Sequence, residues 1–327
     1  MVKPRVLVTG ASGGLGRIMV ECLVEAGHEV IATGRNVAIG AMLKDCTFKP
    51  ADLAEDAIEP LVEGVDTVFH LAALSAPWGK RADFERANIV ATERLLEASE
   101  KGGVQTFLFA STPSIYTDTK DQLNITEETA LPVRFANDYA ATKYAAEQLV
   151  LAHPGPMRRV VLRPRAIVSP YDTALLPRLL RASERGFMPL PGKGEALIEL
   201  TDARDVAAAF IAAAREAQTV TGTAFNISGG APRRLRAIVE HIFALKQRSV
   251  RFIPLNAGFV TGLGGAMERI AKMLPTQPEP PLTRYSAMAL GWSQTFDLSA
   301  AQSALRWKPL YSPEEAIVWA LIGSSDD

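Results

Sequence analysis

The stretch "VLVTGASGGLGR", Val6 to Arg17, is an apolar run that breaks into glycines and small residues and then turns apolar again. The pattern predicts a strand over Arg5–Thr9, a tight loop, and a helix over Gly14–Ala26. Gly10 permits a tight turn, Gly13 lets backbone approach a phosphate pair, and Gly16 lets the helix close on the strand. The helix N-terminus adds free N–H groups and the positive end of its dipole. The loop is therefore expected to hold a pyrophosphate, with Ser12, Gly14, Leu15 and Arg17 completing its wall. An ordinary glycine-rich turn is the alternative, and the strand-loop-helix context argues against it.

Working outward, apolar runs of strand length recur at Glu29–Thr33, Thr47–Lys49, Thr67–Leu71, Thr106–Ala110 and Arg159–Arg163. Helical patterns lie between them at Asn88–Lys101 and Asp138–His153. This alternation predicts an α/β fold, a Rossmann-like doubly wound parallel sheet. From Pro164 onward Pro and Gly become frequent, as in "SPYDTALLPRLL" and "LPTQPEPPLTR". Helices are still expected at Asp205–Ala217, Leu235–Leu245, Val260–Met273 and Pro313–Ile322. Residues 1–163 are read as a dinucleotide-binding domain. Residues 164–327 are read as a smaller C-terminal substrate-binding cap, interleaved with the last strands and helices of the first domain.

The 327 residues carry a net charge of −1, which offers no basic stripe for nucleic acid. No apolar run is long enough to span a membrane. The start lacks a signal-peptide pattern, so a cytoplasmic chain is expected. Cys22 and Cys46 read as reduced thiols, and the four histidines show no ligand spacing, so no metal site is expected.

Two further stretches carry chemistry. The second strand ends "ATGRN", with Gly34-Arg35 where an NAD site usually places a carboxylate on the ribose hydroxyls. A missing acid removes repulsion of a 2′-phosphate, and a guanidinium can clasp one. Arg35, with Arg17 as a second candidate, therefore points to NADP over NAD. "YAATK" places Tyr139 and Lys143 four apart on one helical face. A free phenol titrates near ~10, and a neighbouring ammonium favours its ionised form, so Tyr139 is expected to work as a general acid or base nearer neutral pH. "FLFASTPSIY" ends a strand with hydroxyls at Ser111, Thr112 and Ser114, at the sheet edge where such folds bind ligands.

With these motifs in place the chain resembles the extended short-chain dehydrogenase/reductases, the NAD-dependent epimerase/dehydratase superfamily, over nearly its whole length. "TGASGGLG" is similar to that branch's loop. The resemblance implies that Asp52 and Leu53 hold the adenine. It places Leu71, Ala72 and Ala73 of "VFHLAA" beside the ribose, and Ala110, Ser111, Pro164, Ala166 and Ile167 along the cofactor. It gives catalytic roles to Thr112, Tyr139 and Lys143, and a supporting one to Asn88. Ser169 departs from the family's usual glycine. Homodimerisation through Asn88–Lys101 and Asp138–His153 is implied in the same way.

Substrate is harder to read. Sugar-nucleotide members resemble an arginine-bearing pattern where this chain has "GKGEALIELTDARDVA". The diphosphate-gripping arginine falls on Ile198, and Asp205-Val206 is read as structural. Val260, Leu263, Met267, Ile270 and Leu274 form an apolar stripe on an amphipathic helix. That helix resembles the C-terminal element of 3β-hydroxysteroid dehydrogenase-like proteins and 2-alkyl-3-oxoalkanoate reductases, and is read as lid, interface or core-facing. Ser75, Trp78, Thr112, Ser114 and Arg165 are candidate substrate contacts; Arg165 and Asp172 alternatively form a structural ion pair. The expected activity is NAD(P)(H)-dependent interconversion of a secondary alcohol and a ketone on a hydrophobic small molecule. A nucleotide-sugar epimerase or dehydratase, and a non-catalytic NADP-binding regulator, are the alternatives.

Overall fold

A computed structural model describes residues 3–172, 176–184 and 186–323. Part of the Pro-rich stretch after Pro164, and the last four residues of the expected cap, lie outside the described residues. The described chain runs β1 (Arg5–Thr9), α1 (Gly14–Glu25), β2 (Glu29–Gly34), β3 (Thr47–Pro50), β4 (Thr67–His70), α2 (Ala91–Lys101), β5 (Thr106–Ala110), α3 (Asp138–Ala152) and β6 (Arg158–Pro164). It continues through α4 (Ala203–Val220), β7 (Thr223–Ile227), α5 (Leu235–Leu245), α6 (Ala257–Met273), α7 (Arg284–Gly291) and α8 (Pro313–Gly323), with short strands and turns between.

The main sheet has the order β7-β6-β5-β4-β1-β2-β3, and its paired strands run parallel. Alternate side chains leave each strand on opposite faces. Val6 and Val8 of β1 join Leu108 and Val160 against Ile18, Met19 and Leu23 of α1 and Phe210 of α4. Leu7 joins Phe107, Phe109 and Val161 against Leu95 of α2 and Val150 of α3 on the other face. The order reverses between β1 and β4, which opens a crevice beyond their C-terminal ends.

The seventh strand, β7, is absent from the sequence reading. "TAFNI" is short and carries little alternation of its own; it becomes a strand by pairing with β6, Phe225 opposite Leu162. It returns from the C-terminal half with α4, which packs on α1. Asp202 caps α4 by accepting the Arg204 N–H at 2.8 Å. Asp205 accepts the N–H groups of Leu310 and Tyr311 at 2.9 and 3.1 Å, the structural role expected of it. The helix expected from Asn88 begins instead as a π-helical segment, Glu85–Val90, that runs into α2.

A second, small sheet is ordered Arg233–Arg234, Leu197–Ile198, Gln294–Phe296, Gln122–Ile125, so the segment before α3 joins strands from the C-terminal half. Leu190, Ile198, Ile238, Ile242 and Ile317 fill the core of that half. The apolar stripe assigned to the helix at Val260 is not the buried face. Val260 is buried, but Leu263, Ile270 and Leu274 are exposed, while Gly264 and Ala271 close the seam. Small residues win because the chain at Thr283-Arg284 comes close enough that a Cβ on Gly264 would lie 2.9 Å from the Arg284 nitrogen. Cys22 and Cys46 are free and half-buried. Among the described residues no helix is long and apolar enough to cross a membrane.

Phe107 is fully buried in the face covered by α2 and α3. Phe107→Ala is expected to lower unfolding free energy by about 3–5 kcal/mol, read from the urea midpoint at unchanged m-value.

Candidate active site

The glycine loop leaves β1 with Gly10 at φ +68°, a conformation that favours glycine. A Cβ at Gly10 would sit 2.7 Å from the Ala72 nitrogen, and one at Gly16 would collide with the Gly10 carbonyl. The Gly13 N–H donates to the Gly10 carbonyl at 2.9 Å, and Gly13 caps α1 without a side chain. The first turn of α1 holds no acidic residue. Bare N–H groups at a helix start, on a loop that no side chain fills, suit a dinucleotide pyrophosphate. Ser12 lies under β2, its Oγ 2.7 Å from where a Gly34 Cβ would be. Leu15 is half-buried beside the loop.

Arg35 follows β2, exposed, with its guanidinium 3.8 Å from Asp52. Arg17 is engaged elsewhere: its guanidinium stacks 3.6 Å from the centre of the Tyr171 ring. The Asp52 side chain also accepts from Arg86 at 3.3 Å, and Leu53 beside it is buried. Leu71 and Ala72 are half-buried past the end of β4 and Ala73 is exposed. The Ala72 N–H donates to the Thr9 hydroxyl at 3.2 Å. His70 is wedged between Thr9 and Thr92 at 2.7 and 2.9 Å, and burial pushes its pKa down to about 3, so it is a neutral spacer.

Ala110, Ser111, Thr112 and Ser114 are buried at the end of β5. Thr112 accepts the Ser114 N–H at 3.1 Å, and its hydroxyl donates to Ser114 Oγ at 3.0 Å. The Tyr139 phenol is carried on the first turn of α3 and lies beside Thr112, which lowers its pKa against the larger effect of burial. Asn137 caps that helix through the Ala140 N–H at 2.9 Å. Four residues along, Lys143 is buried with its ammonium 3.9 Å from the centre of the Phe109 ring. Burial pushes its pKa down to about 7, against the opposing charge of Glu147.

One expectation is corrected. Lys143 was to draw the Tyr139 pKa down. Burial instead pushes it up to about 12, with the Thr112 hydrogen bond opposing. The ammonium lies over Phe109, so desolvation of the phenolate wins. Tyr139 is a neutral phenol at physiological pH.

Asn88 is buried in the π-helical segment. It accepts the Leu74 N–H at 2.8 Å and donates to Thr142 Oγ1 at 3.0 Å, tying the loop after β4 to α3. Pro164 and Ile167 flank Ala166, a non-glycine residue at φ +38° held by the Thr201 N–H at 3.1 Å. Strain of that kind clusters at ligand clamps. Ser169 is buried, its Oγ 3.1 Å from where a Gly14 Cβ would be. Ser75 is exposed; the Trp78 indole donates to the Gln277 carbonyl at 2.9 Å, joining the two lobes. Arg165 is buried, and the Asp172 carboxylate accepts the Leu176 N–H at 2.8 Å.

The Ser111 hydroxyl does not face the crevice. It donates to Glu147 at 2.5 Å, and Arg163 meets the same carboxylate with two N–H groups at 2.5 and 3.1 Å. Glu147 escaped the sequence reading, although it lies one turn beyond Lys143 on the same face. So did the hydroxyl of Tyr285, which comes from α7 to within 2.7 Å of Ser114 Oγ.

The profile of the NAD dependent epimerase/dehydratase family matches residues 6–228. The chain belongs to this family. Like other members of the extended short-chain type, it is an NAD-dependent oxidoreductase. The Escherichia coli (strain K12) protein YbjS is 35% identical over 324 residues, covering 96% of this chain and 95% of that protein. The 2-alkyl-3-oxoalkanoate reductase of Stenotrophomonas maltophilia is 32% identical, covering 96% and 97%. The solved structure of MoeE5 in complex with UDP-glucose and NAD is similar with a TM-score of 0.76 at 25% identity, covering 98% and 99%.

A buried ammonium costs stability that function requires. Lys143→Met is expected to raise the melting temperature of the ligand-free protein at pH 7. Between pH 7 and 10.5 the unfolded lysine keeps a proton that the native amine has shed, so wild-type stability rises with pH and the difference shrinks. Calorimetric scans across that range check it.

Proposed function

We propose that the protein is a reductase of ketones, acting reversibly on the matching secondary alcohol, with NADP(H) preferred over NAD(H) and a substrate of hydrophobic body. The observation that carries this is the placement of the Tyr139 phenol beside the buried Thr112 hydroxyl, with Lys143 one turn along the same helix. A bound nicotinamide dinucleotide supplies the hydride chemistry. The glycine loop, Ala72, Asp52 and Arg35 would hold it, and Lys143 would serve its ribose.

The chain's own residues handle the oxygen and the proton. Thr112 and Tyr139 orient the carbonyl oxygen and polarise it by hydrogen bonding. A phenol that titrates near about 12 keeps its proton at neutral pH and gives it to an oxygen that becomes basic as the carbon is reduced. Lys143 supplies positive charge near the site, and Glu147 holds that charge in place. The similarity to a 2-alkyl-3-oxoalkanoate reductase over 96% of the chain supports a ketone carried on an alkyl body.

A nucleotide-sugar epimerase is the second reading, favoured by the likeness to MoeE5 with UDP-glucose and NAD. Against it stands Ile198, buried in a cap strand where such enzymes grip the diphosphate. An aliphatic side chain offers phosphate no donor.

Tyr139→Phe is expected to lower kcat by about 100- to 10,000-fold while NADPH binding, followed by fluorescence, persists. Full turnover in this variant would refute the assignment. Arg35→Ala is expected to raise the KM for NADPH by about 10- to 100-fold and to leave that for NADH nearly unchanged, since one charge-assisted grip on phosphate is lost. Paired steady-state kinetics with the two cofactors check it.

A further inference from the structure

Tyr285 lies half-buried in the first turn of α7, and its place is set within the C-terminal half. Thr283 caps that helix by accepting the Ser286 N–H at 3.0 Å, and donates its own proton to Ser286 Oγ at 2.8 Å. The Arg284 N–H donates to Glu268 of α6 at 2.7 Å, and Gly264 lets the two helices approach closely. From this anchored turn the phenol reaches Ser114 Oγ at 2.7 Å. Ser114 Oγ is in turn 3.0 Å from the Thr112 hydroxyl, and both residues are buried. Hydroxyls from the two halves of the chain thus form one row that ends at Thr112. Burial is the main cause that raises the Tyr139 pKa to about 12; Thr112 opposes it and the Tyr285 phenol adds to it, so the second phenol stands near the first.

Each hydroxyl in the row has one proton to give. As the chain stands, Thr112 gives its proton to Ser114 Oγ while accepting the Ser114 N–H at 3.1 Å, which leaves it nothing to donate to a carbonyl. The row serves reduction when it runs the other way, with Ser114 donating to Thr112 and Thr112 to the substrate. The same contact permits this, because two hydroxyls exchange roles by rotating their protons. The far end decides the direction. A phenol titrates near ~10 and is a stronger donor than an aliphatic hydroxyl, so Tyr285 is suited to give its proton to Ser114 and to turn the Ser114 proton toward Thr112. Hydroxyls aligned in one direction polarise one another, which strengthens the last donor.

We propose that Tyr285 is a positioning residue: by donating to Ser114 it orients the row of hydroxyls so that the Thr112 proton faces the substrate's carbonyl oxygen. This rests on the reading of the site as a ketone reductase. It also makes the seating of α7 a requirement for full polarisation of the carbonyl.

The test follows methyl decyl ketone, isotope-labelled at its carbonyl carbon, in two ways. Infrared difference spectra of the protein loaded with oxidised NADP report how strongly the bound carbonyl is polarised, without hydride transfer. Steady-state kinetics with NADPH report turnover. Wild type is expected to lower the carbonyl stretching frequency relative to the ketone in hexane, and Tyr285→Phe to lose a clear part of that shift. In the same variant kcat is expected to fall about 5- to 50-fold, with the KM for NADPH held within about twofold and the melting temperature nearly unchanged. In a Ser114→Ala background, Tyr285→Phe is expected to change kcat by less than about twofold, since the row is already cut. A mere strut between the two halves would instead lower stability, and its loss would add to that of Ser114. An unshifted wild-type carbonyl band overturns the proposal. So does a Tyr285→Phe protein that keeps both the shift and kcat, or a loss of equal size with and without the Ser114 hydroxyl. A polarised carbonyl that depends on Tyr285, with no hydride transfer from NADPH in wild type, sinks the reductase reading instead and leaves the hydroxyl row standing.

Discussion

The buried ion pair between Arg163 and Glu147 ties together the elements that carry the candidate site. Glu147 is fully buried and Arg163 nearly so. The guanidinium comes from β6 and the carboxylate from α3, and Ser111 adds a hydroxyl from the end of β5. Three elements that carry functional groups are therefore locked to one another through a single carboxylate. Losing one partner of such a pair costs about 3–5 kcal/mol, because the other charge is left stranded. The pair also acts electrostatically: the Glu147 carboxylate raises the Lys143 pKa against the larger, opposite effect of burial.

The crevice itself is made by subtraction. Where β1, β2 and β4 end, the chain uses glycines, alanines and a helix start without a side-chain cap, and a Cβ at Gly10 or Gly16 would collide with the backbone that shapes the loop. Beneath that surface two polar side chains bridge neighbouring elements. His70 serves two threonines, and Asn88 serves a loop and a helix. Rigid satisfaction below and open backbone above let the edge bind charge without reorganising.

The legible parts of this arrangement were those set by local chemistry. The glycine loop, the Tyr139–Lys143 spacing and the hydroxyls after β5 depend on neighbours a few residues away, and they lie together at the sheet edge. What escaped reading depends on distant partners. β7 exists as a strand because β6 offers it an edge. Glu147 looks like one more helical carboxylate until Arg163 meets it. Of the alternatives open for the α6 stripe, the core-facing one fails because hydrophobic periodicity marks an apolar face but not which face a neighbour covers, and here small residues face α7. The direction of the Tyr139 shift was misjudged because the spacing fixes a shared face, whereas the side chain of Lys143 turns down onto Phe109.

The cap reaches the reacting end through few groups. Tyr285 delivers one hydroxyl to Ser114 across 171 residues of sequence, and Gln277 offers one carbonyl to Trp78 across 199. Tyr139 and Lys143 on α3, Thr112 after β5 and Asn88 before α2 all lie among the elements of the main sheet.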